Sequence, residues 1–260
     1  MRILVTGGTG VLGRELVREA DGGYTVRVMS RRDPKTNPWP HLEWAQADLR
    51  TGRGLQAAVT DVQTIIHAAT SPLLHPNAVD VEGTRRLLEQ ARAVGVAHFV
   101  YISIVGVDQI PFPYYKRKYQ AERLVREAGI PWSILRVTQF HTLIDQFLQP
   151  LTWLPMVLFP TDFKSQPIDP GVVAERVCKA VVADPAGYLP NLGGPKVHTF
   201  GEMAQVWMAA RGLRRRLIRL HIPGKAAQGF RLGLNTCPEH KDGRITWADW
   251  LQRKYGHLRP

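Results

Sequence analysis

The chain opens on a short apolar run, Ile3, Leu4 and Val5, which breaks into glycines at Gly7, Gly8, Gly10 and Gly13 while helix-like apolar spacing begins at Val11, Leu12, Leu16 and Val17. Strand, glycine loop and helix in that order are the parts a phosphate cradle requires. Glycine lets the backbone turn sharply and approach an anion with no side chain in the way, and the first N–H groups of the next helix then point at the charge. The spacing is Gly7-x-x-Gly10-x-x-Gly13, distinct from the more widespread G-x-G-x-x-G. Gly7, Gly8, Thr9, Gly10, Val11, Leu12 and Gly13 are therefore the candidate cofactor loop, with Gly10 expected to carry a positive φ beside the pyrophosphate.

The same strand-then-helix order repeats along the first half of the chain. Strand patterns recur at Arg2–Thr6, Thr25–Ser30, Leu42–Ala45, Thr64–His67, Phe99–Ser103 and Trp132–Arg136, with helical patterns around 11–20, 77–95 and 114–128. Such alternation implies an α/β fold, a doubly wound parallel sheet of the Rossmann type with helices on both faces. The expected division is a nucleotide-binding domain over 1–150 and a smaller substrate-covering region over 151–260. Helix starts are expected at Asp169-Pro170, at Thr199 with Glu202 completing a capping box, and at Thr246. The apolar stretch 147–159, interrupted by Pro150 and Pro155, falls short of the ~20 residues a bilayer span needs and is expected to be a substrate-covering loop or short helix.

A 44% hydrophobic content is ample for a buried core. Two cysteines, Cys178 and Cys237, exclude a disulfide framework and lack metal-ligand spacing, so no metal is expected. No signal-peptide pattern precedes the first strand, and the cytoplasm is the expected compartment. A net charge of +12 admits an anionic cofactor, nucleic acid or an acidic membrane surface. The basic run RGLRRRLIRLH at 211–221 has neither a recognition motif nor interleaved aromatics, and reads as the solvated face of an amphipathic strand or helix. A small-molecule substrate, with no membrane or nucleic acid, is the expected partner.

The second strand ends Val28-Met29-Ser30-Arg31-Arg32, where NAD-binding Rossmann folds carry an acidic residue for the ribose hydroxyls. Two guanidinium groups and a hydroxyl suit a 2′-phosphate, so Ser30, Arg31 and Arg32 point to NADP, while Asp33 keeps NAD open.

The motifs TGGTGVLG, Ser30-Arg31-Arg32, Asp48-Leu49, IIHAAT, VEGTRRLLEQA, YISIVGVD and YYKRKYQAE together resemble the short-chain dehydrogenase/reductase superfamily, specifically its atypical NmrA-like branch. The resemblance covers the nucleotide-binding half and loosens beyond it. It implies that Asp48 and Leu49 lie along the adenine, that Ala68 and Ala69 line the cofactor toward its nicotinamide, and that Tyr114 and Lys118 form the Y-x-x-x-K element, with Lys118 also contacting the nicotinamide ribose. Four residues apart on a helix, the two side chains share a face, and an ammonium beside a phenol favours the phenolate. Such a tyrosine exchanges a proton with a carbonyl or carbinol oxygen while hydride moves to or from nicotinamide. Ser103 is the third catalytic candidate, but many relatives place their carbonyl-polarising serine one position later, where Ile104 stands, and alternation turns Ser103 to the opposite side of the strand. Asp80 stands where extended relatives carry an asparagine. His67 ends a strand, and Phe140, His141 and Trp153 are the candidate substrate residues.

These residues admit three functions. One is an NAD(P)-dependent oxidoreductase acting on a small apolar carbonyl, quinone or enone. Another is a regulator that senses NADP and acts through a protein partner. The third is a nucleotide-sugar epimerase or dehydratase.

Overall fold

The computed structural model describes residues 1–71, 77–154 and 156–256. In chain order the first elements are β1 (Arg2–Thr6), α1 (Val11–Ala20), β2 (Thr25–Ser30), β3 (Glu43–Gln46), α2 (Leu55–Val59), β4 (Thr64–His67), α3 (Glu82–Ala93), β5 (His98–Ile104), α4 (Pro113–Glu127) and β6 (Trp132–Val137). They are followed by α5 (His141–Leu148), β7 (Met156–Phe159), β8 (Lys164–Ser165), α6 (Pro170–Val182), β9 (Gly187–Tyr188), β10 (His198–Thr199), α7 (Phe200–Ala210), β11 (Arg216–Arg219), α8 (Lys225–Leu232) and α9 (Trp247–Tyr255).

Seven strands form one parallel sheet in the order β3-β2-β1-β4-β5-β6-β9. Ile3, Leu4 and Val5 of β1 are all fully buried, which is why the strand reads as a continuous apolar run: in a parallel sheet clad on both faces no side of a central strand meets water. Each such side chain contributes about 1.5–3 kcal/mol. One face packs Leu4, Ile65, Phe99 and Ile134 from successive strands against Leu55, Leu87, Ala121 and Val125 from α2, α3 and α4. Because β2 lies on one side of β1 and β4 on the other, the winding reverses there, and the crevice at the carboxyl ends of β1 and β4 is the topological switch point where open α/β sheets bind ligands.

The chain divides into two compact units: Met1–Ser103 with Pro113–Arg136 and Val173–Pro190, and Ile104–Phe112 with Val137–Val172 and Asn191–Pro260. A single cut at 150 does not describe this division. β9 pairs with β6 in parallel register, Ser133 opposite Gly187, which draws 173–190 into the sheet. Conversely, Ile104–Phe112 joins the second unit, where a Cβ on Gly106 would lie 2.1 Å from the Leu234 carbonyl oxygen.

Within the second unit the helix starts expected at 199 and 246 are present as full capping boxes, Thr199 with Glu202 and Thr246 with Asp249. Asp169 accepts from the Gly171 N–H (2.8 Å) at the start of α6. The stretch 147–159 is a short helix only in its first half. It passes from α5 through a 3₁₀ turn at Gln149–Thr152 into β7, which pairs in parallel with β11 from the arginine-rich run; Pro155 lies outside the described residues. Its strand character comes from that distant partner, which no local periodicity reveals.

The core of this unit is tied together by one carboxylate. Buried Asp145 accepts from Trp207 Nε1 (2.6 Å) and Tyr255 OH (2.7 Å) through Oδ1, and from Lys254 Nζ (2.7 Å) and Gln149 Nε2 (3.1 Å) through Oδ2. Burial pushes its pKa up, but the Lys254, Trp207 and Tyr255 hydrogen bonds outweigh this and hold it below the usual carboxylate value. Asp145→Ala is expected to lower unfolding free energy by about 2–3 kcal/mol in a denaturant melt, since it strands the Trp207 and Tyr255 donors. A depressed folded pKa means this stabilisation is in place at neutral pH and drains away as pH falls through the carboxylate range, so the gap between variant and wild type should narrow in acid.

Candidate functional site

The glycine loop joins β1 to α1 at the switch point. Gly7 takes φ +67°, and a Cβ there would stand 2.8 Å from Ala69 Cα, so the loop after β1 and the loop after β4 touch. A Cβ on Gly13 would lie 2.0 Å from the Gly7 carbonyl oxygen. The positive φ expected at Gly10 belongs instead to Gly7: Gly10 sits at φ −79°, exposed, with its N–H closing a turn on the Gly7 oxygen (2.8 Å). The first helical bond is made by the Arg14 N–H to the Gly10 oxygen (3.1 Å), which leaves the N–H groups of Val11, Leu12 and Gly13 at the positive end of α1. Gly10 supplies no side-chain cap, and the first turn holds no acidic residue. These features fit a dinucleotide phosphate.

At the end of β2 the backbone is pinned and the cations are free. Ser30 Oγ accepts from the Arg32 N–H (3.2 Å), while the Arg31 and Arg32 carbonyls accept from Gln46 Nε2 (3.4 Å) and Trp44 Nε1 (3.2 Å). Both arginines are exposed, and among the described residues neither guanidinium has an ion-pair or hydrogen-bond partner. Asp33 caps its own turn, accepting from the Lys35 N–H (2.8 Å). Asp48 accepts from the Arg50 N–H (2.8 Å), and the Leu49 side chain is buried in the core, where it packs rather than lines an open surface.

His67 is a structural residue. Thr84 has one hydroxyl hydrogen, which it donates to the Asp80 carbonyl (2.8 Å), so it accepts from His67 Nε2 (2.9 Å). The ring's other nitrogen, Nδ1, then accepts from Thr6 Oγ1 (2.7 Å), which in turn accepts from the Ala69 N–H (3.2 Å). Burial, aided by the Lys118 charge, pushes the His67 pKa down to about 3, so the imidazole is neutral and serves to fix Ala68 and Ala69 beside the glycine loop.

Tyr114 and Lys118 lie one turn apart on α4, but each is engaged elsewhere. Lys118 is buried, donates to the Ile102 carbonyl (2.7 Å) and sits 4.1 Å from the centre of the Tyr101 ring. Burial lowers its pKa to about 8, against the pull of the Asp80 and Glu122 charges. Tyr114 OH is 2.8 Å from Thr70 Oγ1, and Thr70 Oγ1 donates to the Asp80 carboxylate through a short hydrogen bond. Thr70 has a single hydrogen and gives it to Asp80, so Tyr114 must be the donor to Thr70. The expected phenolate is corrected by this arrangement: burial and then the Asp80 charge push the phenol well above its usual value, with the Thr70 contact pulling weakly the other way. Asp80 is placed by a π-helical turn, Asn77–Val81, ahead of α3, and its second oxygen accepts from the Ser71 N–H (3.1 Å). Thr70 and Asp80 are the residues that motif reading missed as partners of Tyr114; the signals available were the threonine closing IIHAAT and the aspartate in place of asparagine. Ser103 is buried, and its Oγ has no hydrogen-bond partner among the described residues.

The three candidate substrate residues sit in the second unit and are not brought together. Phe140 is half-buried at the start of α5. His141 is fully buried against two near-parallel rings of the terminal helix, with ring centroids 5.9 Å from Trp247 and 5.8 Å from Trp250; burial lowers its pKa to about 4, against the Asp169 charge. That is a core position. Trp153 is 84% exposed.

The profile of the NAD(P)H-binding family matches residues 7–145. Among curated relatives, photosystem II assembly factor Ycf39 of Cyanophora paradoxa is 34% identical over 161 residues, 58% of this chain and 50% of its own. Ceramide reductase of Caulobacter vibrioides is 34% identical over 141 residues, 52% of this chain and 44% of its own. This chain thus covers half or less of the length of either. Among solved structures, the NADPH-dependent quinone oxidoreductase QOR2 of Escherichia coli, complexed with NADPH, superposes with a TM-score of 0.81 at 16% identity, covering 97% of this chain and 99% of that one, a likeness of fold. No helix among the described residues is long and apolar enough to cross a membrane. With its nucleotide-binding half matched from Gly7 to Asp145, the chain belongs to the NAD(P)H-binding family.

Proposed function

We propose that this chain is an NADPH-dependent reductase of a small apolar carbonyl, quinone or enone, with Tyr114 as its proton donor. The observation that carries this reading is the hydrogen-bond chain Tyr114–Thr70–Asp80, which aims the single proton of the phenol at an acceptor, while burial and then the Asp80 charge keep that phenol protonated at neutral pH. A substrate oxygen that takes the place of Thr70 receives that proton. When bound, the reduced nicotinamide supplies the hydride. The N–H groups of Val11, Leu12 and Gly13 hold the pyrophosphate, Ala68 and Ala69 present backbone at the same crevice, and the Lys118 ammonium, one turn from Tyr114, offsets negative charge that develops on the phenol as its proton leaves.

Arg31 and Arg32 hold the 2′-phosphate in this reading. Among the described residues their guanidinium groups have no pair to break. Losing charge-assisted hydrogen bonds to phosphate costs roughly 1–3 kcal/mol, or about five- to a hundred-fold in affinity. An Arg31→Ala, Arg32→Ala double variant is therefore expected to weaken NADPH binding by that factor in calorimetric titration and to leave NADH nearly unchanged. Equal losses for both nucleotides, or a native preference for NADH, would reject the assignment.

A second reading, a cofactor-binding protein that acts through a protein partner without turnover, is favoured by the unpartnered Ser103 beside Ile104 and by the assembly-factor relative. Incubating the protein with NADPH and a panel of small quinones and aldehydes separates the two. Loss of reduced-nicotinamide absorbance supports the reductase; tight NADPH binding with no loss across the panel supports the partner-acting protein.

A further inference from the structure

The parallel ribbon of β7 and β11 is apolar on its outer face. In register, Arg216 lies opposite Met156, Leu217 opposite Val157, Ile218 opposite Leu158 and Arg219 opposite Phe159. Alternation sends Val157, Phe159 and Leu217 inward, where they pack on the core of the second unit around Trp207 and Trp247. The outward set is then Met156, Leu158, Ile218 and Arg216, with Met156 54% and Leu158 60% exposed. Trp153 and Leu154, just before β7, extend the same exposed run. An ordinary solvated edge alternates apolar-in with polar-out; this one places apolar groups on both sides.

The charge carried by the two segments that form the patch is positive. Residues 147–158 contain no charged side chain, and 211–221 contain five arginines and no carboxylate. Arg219 is neutralised by Asp162 (2.9 Å), but among the described residues Arg214 and Arg216 have no ion-pair partner and are exposed. A tryptophan, neighbouring aliphatic side chains and unpaired arginines are the set that settles at a lipid headgroup boundary, the indole and aliphatic groups entering it while the guanidinium groups meet phosphate.

We propose that the outer face of the β7–β11 ribbon docks on an anionic membrane surface, with Trp153 and Leu158 inserting and Arg214 and Arg216 contacting lipid phosphate. The contact is peripheral, made by two strands some sixty residues apart in sequence, and needs no membrane-spanning segment. It stands whether or not Tyr114 supports turnover.

The test is flotation of the full chain with vesicles of phosphatidylcholine alone and of phosphatidylcholine with about one-third phosphatidylglycerol. Binding to the mixed vesicles only is expected, weakening as salt is raised. Trp153→Ser with Leu158→Ser, and separately Arg214→Glu with Arg216→Glu, should each reduce the bound fraction at least about tenfold, with NADPH affinity unchanged as the mark of an intact nucleotide-binding unit. Should either pair fail to fold, quenching of tryptophan emission by brominated lipid replaces it: Trp153→Phe should remove most of the quenching. Several results would overturn the proposal: no binding of the wild type to mixed vesicles, equal binding to both vesicle types, binding undiminished in both paired variants, or quenching unchanged in Trp153→Phe. So would a concentration-dependent dimer abolished by Leu158→Ser, since the patch would then be covered by a second copy of the chain.

Discussion

Tyr114→Phe is expected to bind NADPH as the wild type does and to turn over roughly 10²–10⁴ times more slowly, the usual share of general acid catalysis. The substitution removes one oxygen from a half-buried ring that otherwise packs unchanged, so fold and cofactor affinity serve as internal controls. The pH profile makes the assignment sharper. Tyr114 holds its proton through the neutral and mildly basic range, whereas Lys118 loses its charge at about 8. Wild-type turnover should therefore fall above pH ~8 through Lys118 rather than Tyr114. Asp80→Asn takes away a charge that raises both groups, so it should move that basic limb to lower pH while leaving the acidic side unchanged. Full turnover by Tyr114→Phe on a verified substrate would make the Tyr114–Lys118 spacing coincidental.

The other large effect is expected at Gly13. A Cβ there would overlap the Gly7 carbonyl oxygen at 2.0 Å and come within 2.6 Å of Gly8 Cα, and both are backbone that no rotamer change can clear. Gly13→Val should therefore drive α1 away from the loop, reduce NADPH affinity by more than about a hundredfold and destabilise the fold by about 3 kcal/mol or more. Gly10→Val separates the two consequences. Its nearest obstacle is the Gly7 oxygen at 3.1 Å, with open space otherwise, so this variant should fold yet still exclude the nucleotide from the space its side chain fills. Denaturant melts and calorimetric titration of both proteins measure this. A folded Gly10→Val protein with native NADPH affinity would remove the loop from the cofactor site.

These two sites show what the amino-acid pattern carries and what it leaves out. β1, the glycine loop and α1 are legible because each is a local signal: an apolar run buried on both faces, small residues where backbone meets backbone, and a helical period. The pattern does not say which glycine does what. Gly7 holds the positive φ, and Gly13 owes its identity to a carbonyl six residues earlier, a contact that exists only once strand and helix have folded back. The Tyr114–Lys118 spacing is equally local and is present on α4. Its electrostatics are not, because burial in the folded chain, and then the charge of Asp80 from the β4–α3 connection, reverse the sign of the effect that the neighbouring lysine alone implies. Likewise His141 has the look of a site residue in sequence, and only the terminal helix, more than a hundred residues on, packs Trp247 and Trp250 against it.

Nicotinamide oxidation by the wild-type chain is the measurement that bears most directly on the reductase reading. With NADPH and a small apolar quinone or aldehyde, a reductase must show catalytic loss of reduced-nicotinamide absorbance, one equivalent per carbonyl or quinone reduced, and near-complete loss of that rate in Tyr114→Phe at unchanged NADPH affinity. Tight NADPH binding with no oxidation above the protein-free rate across the panel would contradict it and leave a cofactor-binding protein that works by contact alone.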